Sequence, residues 1–457
     1  MTDQSRRAFL KRSAVLGMTG TAAPFVTSLA GIGEAAAGTA SDYKALVCVF
    51  LYGGNDYANT LPPYDTAGYA AYNAARPQLA HAQSALAATA LNPSVSLAGG
   101  RQYALAPTMG SLVPLFNAGK MAVVLNVGTL VQPVTKAQYQ ANAVPLPPKL
   151  FSHNDQQSYW QASSPEGATS GWGGRIGDLL QSGNGTATLT CINASGNAVY
   201  LTGKSAIQYS VSAAGPVALL NNGSSVFGST TALSTLKSLM SGANVNHLLA
   251  TEQVRVSKRA LDTYAQVNTA LAGAPAGNFT LFPSPNPLAD QLKVVARMIS
   301  VSQELGAKRQ VFFVSLGGFD NHDGLVTLHP TNIGYVADAL AAFYNTTVAM
   351  GVANQVTAFT ASDFGRTLVS NSDGSDHGWG SMHFVVGGAV KGQRFYGTPP
   401  AIGNGTSDDV GQGRLLPTTS VDQYAATLAA WFGVGGSDLG TVLPNIGNYS
   451  GTNLGFF

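Results

Sequence analysis

An α/β fold with a mostly parallel central sheet is what this sequence predicts, and three observations predict it. Continuous apolar runs at 44–51, 121–127, 311–316, 356–360 and 383–386 read as strands buried on both faces. Amphipathic helical patterns lie between or after them, at 247–271, 287–305, 333–350 and 420–432. Three of the runs are followed within a few residues by an aspartate. In open α/β sheets the ligand site lies outside the carboxyl ends of the strands, so those residues are the candidates for chemistry.

Taken in order, the chain opens with Ser5-Arg6-Arg7-Ala8-Phe9-Leu10-Lys11, a pair of arginines followed by apolar residues. A mildly apolar stretch over 14–30 and the small residues Ala35-Ala36-Ala37 come next. This pattern predicts a twin-arginine export leader over 1–37, with the translocase as a transient partner, and a working chain over 38–457. The destination is then periplasmic or extracellular. No later segment approaches eighteen uninterrupted apolar residues, so no membrane span is expected in the mature chain.

Loss of residues 1–37 removes Arg6, Arg7, Lys11 and Arg12 but only Asp3 and Glu34, leaving the remainder formally neutral. A neutral surface argues against nucleic acid or an anionic membrane as the main partner. Charged residues are only 10% of the chain, their place taken by Gly, Ser, Thr and Asn. Cys48 and Cys191 both sit inside apolar runs, as buried free thiols or as partners in a disulfide. The Gly/Ser/Asn-rich piece over 183–243 reads as a small β-rich insertion or cap.

The first strand ends in Gly53-Gly54-Asn55-Asp56, and the strand at 311–316 leads to Asp320-Asn321-His322. The strand at 356–360 leads to Asp363-Phe364-Gly365-Arg366, and a loop then carries Asp376-His377 and His383. Carboxylates converging from several strands repel unless a proton or a cation lies between them. Histidine with aspartate suits zinc, and oxygen-rich sets suit calcium or magnesium, so Asp56, Asp320, His322, Asp363, Asp376 and His377 are candidate ligands of a divalent ion. Ser152-His153-Asn154-Asp155 follows a proline-rich run and starts a helical pattern. There Ser152 is either a nucleophile or a helix cap.

The segments GGND near Asn55, LFSHNDQQ around Ser152, GWGGR at Gly171, GGFDNH at Asp320, SDFGRT at Asp363 and SDHGWG at His377 resemble one bacterial family. That family is the domain of unknown function fifteen-oh-one, and the resemblance runs from about Leu46 to the C-terminus. The family looks like a branch of the alkaline phosphatase superfamily, which implies an alkaline-phosphatase-like layered sandwich. The superfamily's order of site residues falls on Asp56, Ser152, Asp320 with His322, Asp363 and His377. Phe364 stands where that pattern has a second histidine, and this favours one ion over two. The resemblance implies a metal-dependent hydrolase of a phosphate or sulfate ester, with a small molecule or glycan as substrate. Ser152 would attack, Arg366 would hold the oxyanion, and His153 or His383 would protonate the leaving oxygen. The alternative is a non-catalytic periplasmic or cell-surface protein that keeps the fold and a structural ion.

Overall fold

The computed structural model describes residues 43–220, 225–242 and 247–457, so the leader expected over 1–37 lies outside the described residues. The strands are β1 (Lys44–Leu51), β2 (Met121–Gly128), β3 (Cys191–Asn193), β4 (Gln208–Ser212), β5 (Gly215–Pro216) and β6 (Arg309–Leu316). They continue as β7 (Val356–Ser362), β8 (Arg366–Ser370), β9 (Ser375–His377), β10 (Ser381–Gly387), β11 (Arg394–Tyr396) and β12 (Thr419–Ser420). The main sheet runs β11-β2-β10-β7-β1-β6-β3-β4-β5, with β12 beside β2. Strands β7, β1, β6, β3 and β4 are mutually parallel, while β10 runs antiparallel to both its neighbours. The protein is therefore an α/β fold with a mixed, mostly parallel sheet, as the apolar runs predict.

The runs are unbroken because both faces of the sheet are covered. Along β1, Ala45, Val47, Val49 and Leu51 enter one core cluster, and Leu46, Cys48 and Phe50 enter the other. Each such side chain removed from water is worth about 1.5–3 kcal/mol, so no position on the strand tolerates a polar residue cheaply. The helices of eight residues or more are α1 (Thr66–Ala75), α2 (His153–Ala162), α3 (Trp172–Leu180), α4 (Thr230–Ser241) and α5 (Leu248–Ala272). They continue as α6 (Pro287–Ser300), α7 (Leu325–Ala349) and α8 (Val421–Phe432). Local chemistry starts several of them. Asn286 accepts from the Leu288 and Ala289 amides at α6, and Ser420 and Gln423 form a reciprocal box at α8.

Two expectations about the middle of the chain change. The 183–243 piece is not a separate β-rich cap: β3 pairs with β6 and β4 with β3, so these strands extend the main sheet, and α4 follows. Cys48 and Cys191 are free and buried, lying on opposite sides of β6 across from Phe313 and Val311. Among the described residues no helix is long and apolar enough to cross a membrane.

Candidate metal centre

Four segments meet at the carboxyl end of the parallel strands: the turn after β1, the loop after β6, the β8–β9 hairpin that follows β7, and the start of α2. Close packing there depends on Gly53. Its φ is +114°, and a Cβ at this position would come within 2.4 Å of the Asp320 amide nitrogen. The turn after β1 can therefore lie directly against the loop that carries Asp320.

His153, the first residue of α2, places its Nδ1 2.6 Å from Asp363 Oδ2. A carboxylate only accepts, so Nδ1 donates and Nε2 is left with a lone pair. Asp363 is buried and is itself held by Gln157 Nε2 at 2.8 Å and the Gly53 amide at 3.2 Å. The His153 Nε2 lies 3.3 Å from Asp320 Oδ2, is buried, and has no hydrogen bond. The bond to Asp363 raises the His153 pKa above its ordinary value against the opposing effect of burial.

His377, at the end of β9, repeats the arrangement. Its Nδ1 donates to the Phe151 carbonyl oxygen at 2.7 Å, and its Nε2 faces Asp320 Oδ1 at 3.2 Å. Burial lowers its pKa, and the neighbouring His153 adds to the effect. His322 is a third case: Nδ1 lies 3.2 Å from Asp376 Oδ1, and Nε2 lies 3.1 Å from Asp320 Oδ1 and 2.8 Å from His377 Nε2. Asp320 is half-exposed, and Arg366 Nη1 holds its Oδ1 at 2.9 Å. Burial works against ionisation of Asp320, but the Arg366 bond and charge outweigh it and lower the pKa.

Three imidazoles thus turn their Nδ1 atoms to fixed acceptors and their Nε2 lone pairs toward one carboxylate. Lone pairs do not gather in this way without a proton or a cation among them. Histidines that ligate a metal almost always donate the other ring N–H to a carboxylate or a carbonyl. Zinc–nitrogen bonds of 2.0–2.1 Å in a tetrahedron put ligand atoms about 3.3 Å apart. The approaches here run from 2.8 to 3.3 Å. His153, Asp320 and His377 form a group whose ligand atoms all lie within 4.8 Å of one another. The donor set fits a divalent ion that accepts nitrogen, zinc above all, and fits calcium or magnesium poorly.

The other candidate residues take different places. Asp56 does not face this group: it caps the short helix Tyr57–Thr60, accepts from Arg76 Nη1 at 2.8 and 2.9 Å, and accepts from Ser375 Oγ at 3.0 Å. Burial would raise its pKa, but the Arg76 charge and hydrogen bond, with His329 and the Asn59 amide, together outweigh burial and bring it down to about 2. Asp363 and Asp376 stand behind His153 and His322 as acceptors of their Nδ1 groups, not among the converging ligand atoms.

Arg366 is wholly buried, bonding Gly53 O at 2.9 Å, Asp320, and the carbonyl of Ser375. It ties three loops together and has no face left for a substrate oxyanion. His383 lies within β10, its Nδ1 3.3 Å from Thr360 Oγ1 and its ring between Trp160 and Tyr424. Burial takes its pKa down to about 3, and it has no part in the centre. The Ser152 hydroxyl donates to Asp155 Oδ2 at 2.9 Å, so the helix start presents His153 to the centre and turns Ser152 to its own helix.

Sequence reasoning missed four contributors. Phe151 has a φ of +73°, uncommon for a bulky residue, and this directs its carbonyl at His377. Arg414 donates from Nε to the His377 carbonyl at 2.7 Å and stacks over the Phe151 ring at 5.1 Å. Phe364 lies 4.9 Å from the His153 ring and 4.7 Å from the His377 ring, so it walls the two imidazoles. Arg76 takes Asp56. The positive φ of Phe151 has no signature in its residue type, and the partners of Arg76 and Arg414 are remote along the chain.

Fold and centre together define an α/β protein with a histidine–aspartate group able to hold a metal ion. Residues 43–440 match the family described as "Protein of unknown function (DUF1501)", and the chain belongs to that family. No curated protein matches the chain. Among solved structures it is similar to Ps i-CgsB in complex with k-i-k-neocarrahexaose, at 9% identity and a TM-score of 0.35, over 89% of this chain and 77% of that one. It is also similar to the lipoteichoic acid synthase LtaP from Listeria monocytogenes, at 9% identity and a TM-score of 0.34, over 88% of this chain and 74% of that one.

Proposed function

We propose that the protein is an exported, single-ion, metal-dependent hydrolase of phosphate or sulfate esters. The observation that carries this reading is the convergence of the His153, His322 and His377 Nε2 atoms on Asp320, each ring with its Nδ1 committed elsewhere. His153, His377 and Asp320 would hold the ion, with His322 beside Asp320 and His377. Zinc in such a set supplies Lewis acidity toward an ester oxygen and toward water. The chain's own part is orientation: Asp363, the Phe151 carbonyl and Asp376 select one tautomer of each imidazole, and Phe364 keeps bulk water from two of them. The ester class rests on the order of the site residues along the chain, which follows the alkaline phosphatase superfamily pattern. Because Ser152 is bonded to Asp155, water is the nucleophile that fits, and no covalent seryl ester is required. Export by the twin-arginine route, which carries folded proteins, suits a centre loaded before translocation, with periplasmic or extracellular small-molecule or glycan esters as substrates.

The test is metal content by elemental analysis together with turnover of aryl phosphate and aryl sulfate panels. One bound ion per chain and turnover that survives Ser152→Ala support the reading. A specific observation favours a second one: Asp56 and Ser152, two residues the superfamily pattern calls on, are both committed to structural bonds. A protein that binds one ion and turns over no ester in the panels would be a non-catalytic member with a structural metal.

A further inference from the structure

Asp320 is half-exposed on a loop that leaves β6 through Gly317 and Gly318, yet the centre needs its carboxylate in one place. The three imidazoles turn lone pairs to it, so Arg366 Nη1, at 2.9 Å, is the one N–H donor bonded to that carboxylate among the described residues. Whatever holds Arg366 therefore aims Asp320. Arg366 Nε donates to the Oγ and to the carbonyl oxygen of Ser375, each at 3.1 Å, and Nη2 donates to the same carbonyl. Ser375 is wholly buried at the start of β9, two residues before His377. Its hydroxyl proton goes to Asp56 Oδ2 at 3.0 Å, which leaves the Oγ lone pairs to Arg366. Its backbone amide donates at 3.1 Å to the carbonyl oxygen of Asn321, the residue after Asp320. Gly374 lets the hairpin lie that close, since a Cβ there would fall 2.2 Å from the His322 carbonyl oxygen. One residue thus meets the turn after β1, the loop after β6 and the guanidinium between them.

We propose that Ser375 is the positioning residue for Asp320: its hydroxyl, anchored on Asp56, sets the Arg366 guanidinium and through it the carboxylate that faces His153 and His377. The inference rests on the metal-centre reading and adds to it a role for Asp56. The carboxylate of Asp56 polarises the Ser375 O–H and so strengthens its acceptance from Arg366. Arg366 cannot swing away from Asp320 without leaving buried polar groups unpaired. With Oδ1 held in this way, the Asp320 carboxylate does not rotate and keeps its lone pairs toward the space between the Nε2 atoms.

A double-mutant cycle on metal affinity tests the proposal, read by competition with a chromophoric chelator and by the absorption spectrum of the cobalt(II)-loaded protein. Ser375→Ala removes the hydroxyl and leaves the backbone bonds; it is expected to weaken zinc affinity about 10-fold and to alter the cobalt d–d bands. Ser375→Thr keeps the hydroxyl and is expected to restore both. Arg366→Lys keeps the charge and loses the fork, so adding Ser375→Ala to it is expected to cost no further affinity. Should the alanine variant fail to fold, Ser375→Cys, similar in size and a weaker hydrogen-bond partner, takes its place in the cycle with the same expectation. Full affinity with an unchanged cobalt spectrum in the Ser375 variant would overturn the positioning role and leave the metal reading standing, as would additivity in the cycle. A wild type that binds neither zinc nor cobalt would overturn the metal reading, and this inference with it.

Discussion

The Nδ1 of His377 lies 2.7 Å from the carbonyl oxygen of Phe151, and that contact joins the β9 edge to the start of α2. Phe151 holds a positive φ to make it, and Arg414 braces both partners through its bond to the His377 carbonyl and its stacking on the Phe151 ring. A backbone carbonyl cannot be removed by substitution, but its brace can. Arg414→Ala is expected to weaken zinc affinity about 10-fold, within the range for loss of outer-shell support, as read by competition with a chromophoric chelator. Phe151→Gly keeps the backbone geometry and is expected to cost less. Equal affinity for wild type and Arg414→Ala would show that the brace is not needed.

Asp363 fixes the tautomer of His153, and Asp363→Asn exchanges an acceptor that favours Nδ1–H for a neutral amide. The expected result is a 10- to 100-fold loss of metal affinity with the fold retained, measured by isothermal titration and circular dichroism. His153→Ala is expected to lower the bound metal more severely, because it removes a ligand. The reverse order would place Asp363 among the ligands.

Ser152→Ala is expected to keep metal content and turnover within about threefold of wild type and to cost about 1 kcal/mol of stability through loss of its helix-start bond. Abolished turnover with full metal content would restore a serine nucleophile.

The Asp56–Arg76 pair is buried on both sides, so Arg76→Ala strands a carboxylate in the interior. Removing one partner of such a pair costs about 3–5 kcal/mol, to be read as a shift in the denaturant midpoint. The pair also contributes to acid sensitivity. Asp56 has a folded pKa of about 2, below its unfolded value, so its stabilisation is present above the unfolded pKa and is lost as pH falls toward 2.

Acid should act on the core through the buried histidines. Burial holds His383 to a folded pKa of about 3 and His329 to about 4, both below the unfolded value. The unfolded chain therefore takes up their protons first, and stability falls as pH drops from about 6.5 toward 4, by up to about 1.4 kcal/mol per pH unit for each group. His383→Gln is expected to remove one proton's worth of that slope. An unchanged slope would show that His383 is not the group responsible.

The export leader expected over 1–37 is tested at its arginine pair. Arg6→Lys together with Arg7→Lys is expected to strand the precursor in the cytoplasm, followed by fractionation, and unchanged export would end that reading.

Much of this protein could be read from residues alone because both sheet faces are covered. Burial on two sides keeps β1 apolar from Ala45 to Leu51 and leaves few polar residues in β6 and β7, such as Gln310, Thr360 and Ser362, and the resulting apolar runs mark the strands directly. The strand ends then point to the edge where Asp320, Asp363 and His377 lie. Ser152 does precede a helix, as the pattern there predicts, but its hydroxyl bonds the Asp155 side chain and makes no cap bond to the helix backbone. His383 was misplaced because the strand begins earlier, at Ser381, which turns that imidazole into the core behind the sheet. What only the tertiary structure decided is which atom of each candidate faces the centre. Asp56 and Asp363 each follow a parallel strand and are the same residue type. A guanidinium 20 residues further along the chain claims the first, and an imidazole 210 residues away claims the second. No local periodicity encodes those partners, because hydrogen bonds across an assembled core depend on where the loops finally pack.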